Sequence, residues 1–174
     1  MKKIIVVLAL ASCTVACGPK RATVSEMSIQ GKHIPVFVEM PRNVHVFDDI
    51  APLLYQALHH QYMRVGYDVV DRPTKGYRLL VYIKNLEPTQ KLVSPEVNLV
   101  HYHARLELDC TLRNFNDQVV AQKKFFVSGL ISKPKNPILN SDFLDYEYKR
   151  LCSRAASQIE RHFKLTLRKA FAQD

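Results

Sequence analysis

Glycine is scarce in this chain, with five residues in 174, and neither a repeat nor a low-complexity tract is present. These absences exclude collagen-like and solenoid architectures, and nine prolines set among 47% hydrophobic residues argue for a folded globule. Long apolar runs are lacking too: the stretch from Ile4 to Ala11 falls far below the roughly 18 residues that span a bilayer. No Gly-x-Ser-x-Gly elbow, His-Glu-x-x-His helix, phosphate-cradling Gly-Lys-Ser/Thr loop or Gly-x-Gly-x-x-Gly turn occurs. No catalytic residue and no cofactor are therefore expected. Acidic charge is the minority, with 16 Asp and Glu against 25 Lys and Arg, a formal net charge of +9. Such an excess favours an anionic partner: nucleic acid, membrane head groups or a phosphorylated lipid.

The first residues choose among these. Met1-Lys2-Lys3 is a short basic start, and the apolar run behind it reads as a signal peptide over residues 1–16. Small residues then precede two cysteines, Cys13 and Cys17, each in a setting that resembles the bacterial lipobox, whose cysteine becomes acylated. Cys17 is favoured because it leaves the longer leader. Cys13 has the better local sequence behind an unusually short apolar region. Gly18, or Thr14 on the alternative, follows the candidate cysteine where Asp would commonly signal retention in the inner membrane, so sorting to the outer membrane is expected. An exported chain rarely meets nucleic acid, which leaves anionic lipid or a solvated surface for the positive charge.

Residues 17–32 have no periodicity and read as a lipidated tether, followed by one domain over residues 33–174. From His33 to Met40, alternation of Ile34, Val36, Val38 and Met40 predicts a strand, which Pro41-Arg42-Asn43 breaks. Ile50, Leu53, Leu54, Ala57, Leu58, Gln61, Tyr62 and Val65 recur at helical spacing, with Asp48 or Asp49 as N-cap and Gly66 just past the end. A short β-prone segment lies at 67–70, and a strand is expected at 77–86. From His101 to Arg113 apolar Tyr102, Ala104, Leu106, Leu108, Cys110 and Leu112 alternate strictly with polar neighbours, and a hairpin returns as 119–131 after Asn114-Phe115-Asn116-Asp117. A long apolar stripe from Leu144 to Ala170 marks a final helix over about 141–172. The order β, α, β, β, β, α implies an α+β fold: two helices packed on one face of a mixed, mainly antiparallel four-stranded sheet. The first strand should pair parallel to the second main strand, at 77–86.

Candidate chemistry is sparse. His101 and His103 share a strand face about 7 Å apart and could offer two nitrogens to zinc, but spacing suggests no further ligand, so no metal site is expected. His59 and His60 are adjacent on a helix, diverge by about 100°, and read as surface or boundary residues. Cys110 and Cys152, 42 positions apart, both lie on apolar faces. A disulfide would constrain the unfolded chain by roughly 4 kcal/mol, and two buried thiols fit the pattern equally well. Lys123, Lys124, Lys133 and Lys135 gather around the last strand, where mobile ammonium groups at a sheet edge would suit lipid phosphates. The bases of the last helix read as a solvated face with Glu147 and Glu160 interspersed.

Taken in order, these pieces resemble the lipopolysaccharide-assembly lipoprotein family LptE. The resemblance runs through Cys17 and its tether, the helix with Leu53, Ala57 and Leu58 leading to Gly66-Tyr67-Asp68-Val69-Val70-Asp71, and the Tyr77-Arg78-Leu79 strand. It continues through Ala104-Arg105-Leu106-Glu107-Leu108, then Asn136-Pro137-x-Leu139 ahead of a helix bearing Arg154-Ala155-Ala156-x-Gln158-Ile159. It implies a non-enzymatic lipoprotein on the periplasmic side of the outer membrane. In that family the lipoprotein plugs a large LptD-like β-barrel, helps it assemble and contacts lipopolysaccharide. Basic loop residues at the sheet's tip serve the lipid contact there; here Asn140-Ser141 stand where one is expected, and the nearest bases are Lys133 and Lys135. An accessory lipoprotein of another secretion or lipid-transport channel is the competing reading.

Overall fold

The computed structural model describes residues 34–43, 50–72, 76–94, 99–134 and 140–171, with backbone alone for 87–94, 99–100, 132–134, 140–144 and 170–171. The leader, the tether, both N-terminal cysteines, Asp48, Asp49 and Lys135 lie outside the described residues. Six strands and two helices follow in the order β1 (Pro35–Val38), β2 (Arg42–Asn43), α1 (Ile50–Val65), β3 (Asp68–Val69), β4 (Tyr77–Ser94), β5 (Leu99–Arg113), β6 (Val119–Pro134) and α2 (Asn140–Phe171). All strands join one mixed sheet of order β3-β1-β4-β5-β6, with β2 on β4. Both helices cover one face of it. The α+β class stands as expected, while the sheet has six strands where four were read. The extra two are the two-residue pieces β2 and β3. Arg42 and Asn43, taken as a break, rejoin the β4 edge at Tyr82 and Ile83 once the chain has stepped out at 39–41.

β1 pairs parallel to β4, Val36 with Tyr77 and Val38 with Leu79, and parallel to β3 on its other side. Strands β4, β5 and β6 form a long antiparallel meander. Its first strand runs eight residues past the expected end at 86, straight through Pro88. Register shifts between Ile83 and Asn85 and between Pro88 and Gln90 make this tolerable, because a bulge is where a residue without an N–H does least harm to a ladder. The β5–β6 turn is held by Asn114, whose Oδ1 accepts the backbone N–H groups of Asn116 at 3.0 Å and Gln118 at 2.9 Å. Asp117 takes the left-handed conformation at φ 61°, which Asp tolerates better than most residues.

Helix α1 ends in a Schellman motif. Gly66, at φ 95°, donates to the Met63 carbonyl, and Tyr67 N–H reaches back to the Tyr62 carbonyl at 3.1 Å. The Tyr62 and Tyr67 rings meet at a tilt, 5.2 Å between centroids, which supplies the apolar contact that accompanies this cap. Each helix follows a strand of the same sense, β1 or β6, and returns across the face, so α1 and α2 run in one direction. Between them and the sheet lies one core: Ile50, Leu54, Leu58 and Tyr62 from α1, Val36, Leu79, Ile83, Leu106, Leu108 and Leu112 from the sheet, and Leu151, Ile159, Phe163 and Leu167 from α2. Gly129 on β6 lets α2 approach closely, since a Cβ there would lie 3.0 Å from Leu151 Cδ1. Among the described residues no helix is long and apolar enough to cross a membrane.

Candidate functional site

Both helices lie on one side, and among the described residues no helix covers the opposite sheet face. Its centre is the polar edge of β5: His101, His103, Arg105, Glu107, Asp109, Thr111 and Arg113. Asp109 lies in register between Tyr82 of β4 and Lys124 of β6, with Lys84 Nζ 3.8 Å from its Oδ2. Beside this polar strip, Phe126 and Leu130 of β6 are exposed, and the Arg105 guanidinium rests over the Phe126 ring at 4.5 Å. A cation on an aromatic face keeps its charge wet while covering apolar surface.

A chain of ion pairs ties the turn end of the sheet together. Glu39 accepts Arg42 Nη2 at 2.7 Å and Arg78 through Nε at 2.8 Å and Nη2 at 2.6 Å. Arg78 also approaches Asp117 at 3.7 Å, and Arg113 meets the same carboxylate at 2.7 Å. Partial burial pushes the Glu39 carboxyl up, but the hydrogen bonds and charges of Arg42 and Arg78 outweigh it and hold the group below its ordinary value. A hollow of about 140 Å³ lies beside this network, lined by Phe37, Gly76, Tyr77, Arg78, Asn114, Phe115 and Asp117. Its opposite charges pair with one another, which gives the cluster a bracing role between β1, β4 and the hairpin turn.

The lysines expected to act together are separated. Lys123 stands on the helix face of β6, its Nζ 3.4 Å from His162 Nδ1, whereas Lys124 faces the open side opposite Asp109. Successive strand residues point to opposite faces, so the two neighbours in sequence serve different surfaces. Lys133 pairs with Val100 at the far end of β6, about 30 Å along the strand from Lys124. No single patch contains all three.

Cys110 and Cys152 are both buried and both free thiols. Cys110 pairs in register with Lys123, which reaches His162, so it is level with the 162 turn of α2, about 15 Å along the helix from Cys152. The two thiols are not bridged in this structure. Burial pushes both thiols up, Cys152 to about 12 and Cys110 further with help from the Asp109 charge. His101 and His103 lie opposite Ser132 and Leu130, and among the described residues no group of three or more His, Cys, Asp or Glu is placed to hold a metal. His59 rests half-buried near Tyr55 at 5.8 Å, and His60 is exposed.

Sequence reading missed the burial of Glu147 and Glu160, which are 8% and 3% exposed. Glu147 lies four residues before Leu151 and Glu160 three before Phe163, so both ride on the apolar stripe, and that spacing is the signal that could have found them. Glu147 meets Arg150 at 3.5 Å, while one oxygen of Glu160 and the hydroxyls of Tyr62 and Tyr67 find no hydrogen-bond partner among the described residues. Burial, then the nearby Glu160 charge, pushes the Tyr67 phenol up to about 12.

An α+β sandwich with both helices on one sheet face is a fold that solved bacterial lipoproteins share. A protein of Xanthomonas campestris superposes with a TM-score of 0.56 at 12% identity, over 82% of this chain and 90% of that one. A putative lipoprotein from Caulobacter crescentus gives 0.52 at 16% identity, over 74% and 90%. A minor lipoprotein from Acinetobacter baumannii gives 0.50 at 12% identity, over 79% and 95%. No family model and no curated protein matches the sequence.

Proposed function

We propose that this chain is an LptE-like lipoprotein, anchored to the periplasmic side of the outer membrane through acylated Cys17. Its domain docks in the lumen of a large LptD-like β-barrel, helps that barrel assemble and contacts lipopolysaccharide in transit, with no bond made or broken. The supporting observation is the sheet itself: one face closed by helices, the other open and mostly polar, on a fold shared with bacterial lipoproteins. A plug needs a stiff body whose surface tolerates a wet barrel interior. The three-stranded meander supplies stiffness, and the β5 strip supplies polarity.

The test is affinity purification of the full chain from detergent-solubilised outer membranes. Co-purification of a large β-barrel together with lipopolysaccharide is expected. Recovery with a different secretion or lipid-transport channel would replace this reading by the accessory role, and a Cys17→Ser chain that stays membrane-bound would refute the anchor. Lys133 and Lys135, the bases nearest the start of α2, carry the lipid contact on this reading. Their double Ala variant should bind lipopolysaccharide more weakly; unchanged affinity would remove them from the site.

A further inference from the structure

The solvent side of the two helices holds a groove of about 530 Å³, lined by Leu53, Gln56, Ala57, His60, Gln61 and Arg64 of α1 and Lys149, Ser153 and Ser157 of α2. Small side chains create it. Ser153 and Ser157, one turn apart, face Ala57, so the helices meet below the surface and leave a trough above. Among the described residues no acidic side chain lines it.

Because the helices run the same way, Lys149 stands at the starting end, level with Leu53, and Arg64 and His60 stand at the finishing end. From Lys149 to Ser157 the helix rises about 12 Å. Between the ends lie hydroxyls and carboxamides. Arg64 Nη2 donates to Gln61 Oε1 at 2.8 Å, which orients the Gln61 amide and leaves its NH2 donors available to a ligand. Ser153 Oγ donates to the Lys149 carbonyl at 2.8 Å and keeps its lone pairs for a ligand hydroxyl. Lys149 already pairs with Asp145, a partner 47% exposed. Such an exposed pair contributes little and yields to a doubly charged anion.

The geometry points to a binding site for a polyol bearing phosphate groups, with Lys149 and Arg64 on the anionic ends and the serines and Gln61 on the hydroxyls between. Arg is suited to phosphate by its planar fork and Lys as a point charge, and both are worth more to an anion over a floor of Leu53 and Ala57 than in open water. The ligand's source is a soluble sugar phosphate or a lipid headgroup. This assignment stands independently of the barrel partner, since it concerns the helix side and not the open sheet face.

Calorimetric titration of the full chain in non-ionic detergent tests it with glucose 1,6-bisphosphate, dihexanoyl phosphatidic acid and, as control, dihexanoyl phosphatidylcholine. Binding of the first alone identifies a soluble source; binding of the second identifies a headgroup; the control should give no heat. Arg64→Gln and Lys149→Gln should each weaken binding about tenfold, as loss of one charge-assisted contact predicts. Ser153→Leu fills the trough at an exposed position without altering charge and should abolish binding while leaving the circular-dichroism spectrum unchanged. Absence of binding by either phosphate ligand, equal binding of the control, or affinity unchanged in both the charge variants and Ser153→Leu would overturn the proposal.

Discussion

Gly76 is the residue on which the β4 start depends. Its φ of 132° belongs to glycine, and an added Cβ would collide with the Pro35 carbonyl oxygen and ring. Gly76→Ala should therefore destabilise the domain by about 2–3 kcal/mol in urea unfolding, combining backbone strain with the clash. Gly66, at φ 95° with open space around it, should lose only about 1 kcal/mol on the same change. Glu39 is the second such residue. Its carboxyl titrates below the ordinary 4.5, so its stabilisation is fully present above that value and fades as pH falls through the folded value. Glu39→Gln should cost about 1 kcal/mol at pH 7. The difference from the parent chain should shrink steadily as the pH falls below 4.5, which a series of unfolding curves from pH 7 downwards will show.

At the scale of elements, the strict alternation of β5 and the stripe of α2 were legible because each is set by burial on one side. Pairing of β1 parallel to β4 was legible as well, since a strand returning through a helix comes back parallel. What escaped was decided by tertiary contact. The strand expected at 77–86 runs on to Ser94 because the neighbouring ladder bulges where Pro88 falls, and β2 and β3 are too short to carry a period. The separation of Lys123 from Lys124 was in the sequence all along, because period two assigns them opposite faces. The helix thiol and the strand thiol share a core, as their apolar faces implied, and both stand there as free thiols. Neither Cys110 nor Cys152 should react with a disulfide reagent in the native domain, and both should react on unfolding. A thiol count of zero then two, in a chain lacking residues 1–17, checks this.

For the whole molecule, one core joins both helices to every long strand. Residues 33–174 should consequently unfold in a single cooperative step, with coincident near-ultraviolet and far-ultraviolet circular-dichroism transitions; separate midpoints would reveal a second unit. The arrangement of β1 has a further bearing on how the molecule comes to exist. This strand lies nearest the N-terminus, yet its ladder partners are Asp68 and Val69 behind one helix and Tyr77 to Leu79 beyond a further loop. In a chain delivered N-terminus first, Val36 and Val38 emerge early and wait, bare and sticky, until those later residues arrive. The first strand to be made thus locks only once residue 79 has arrived, and the interval of its exposure is when the nascent protein is most open to capture or mispairing.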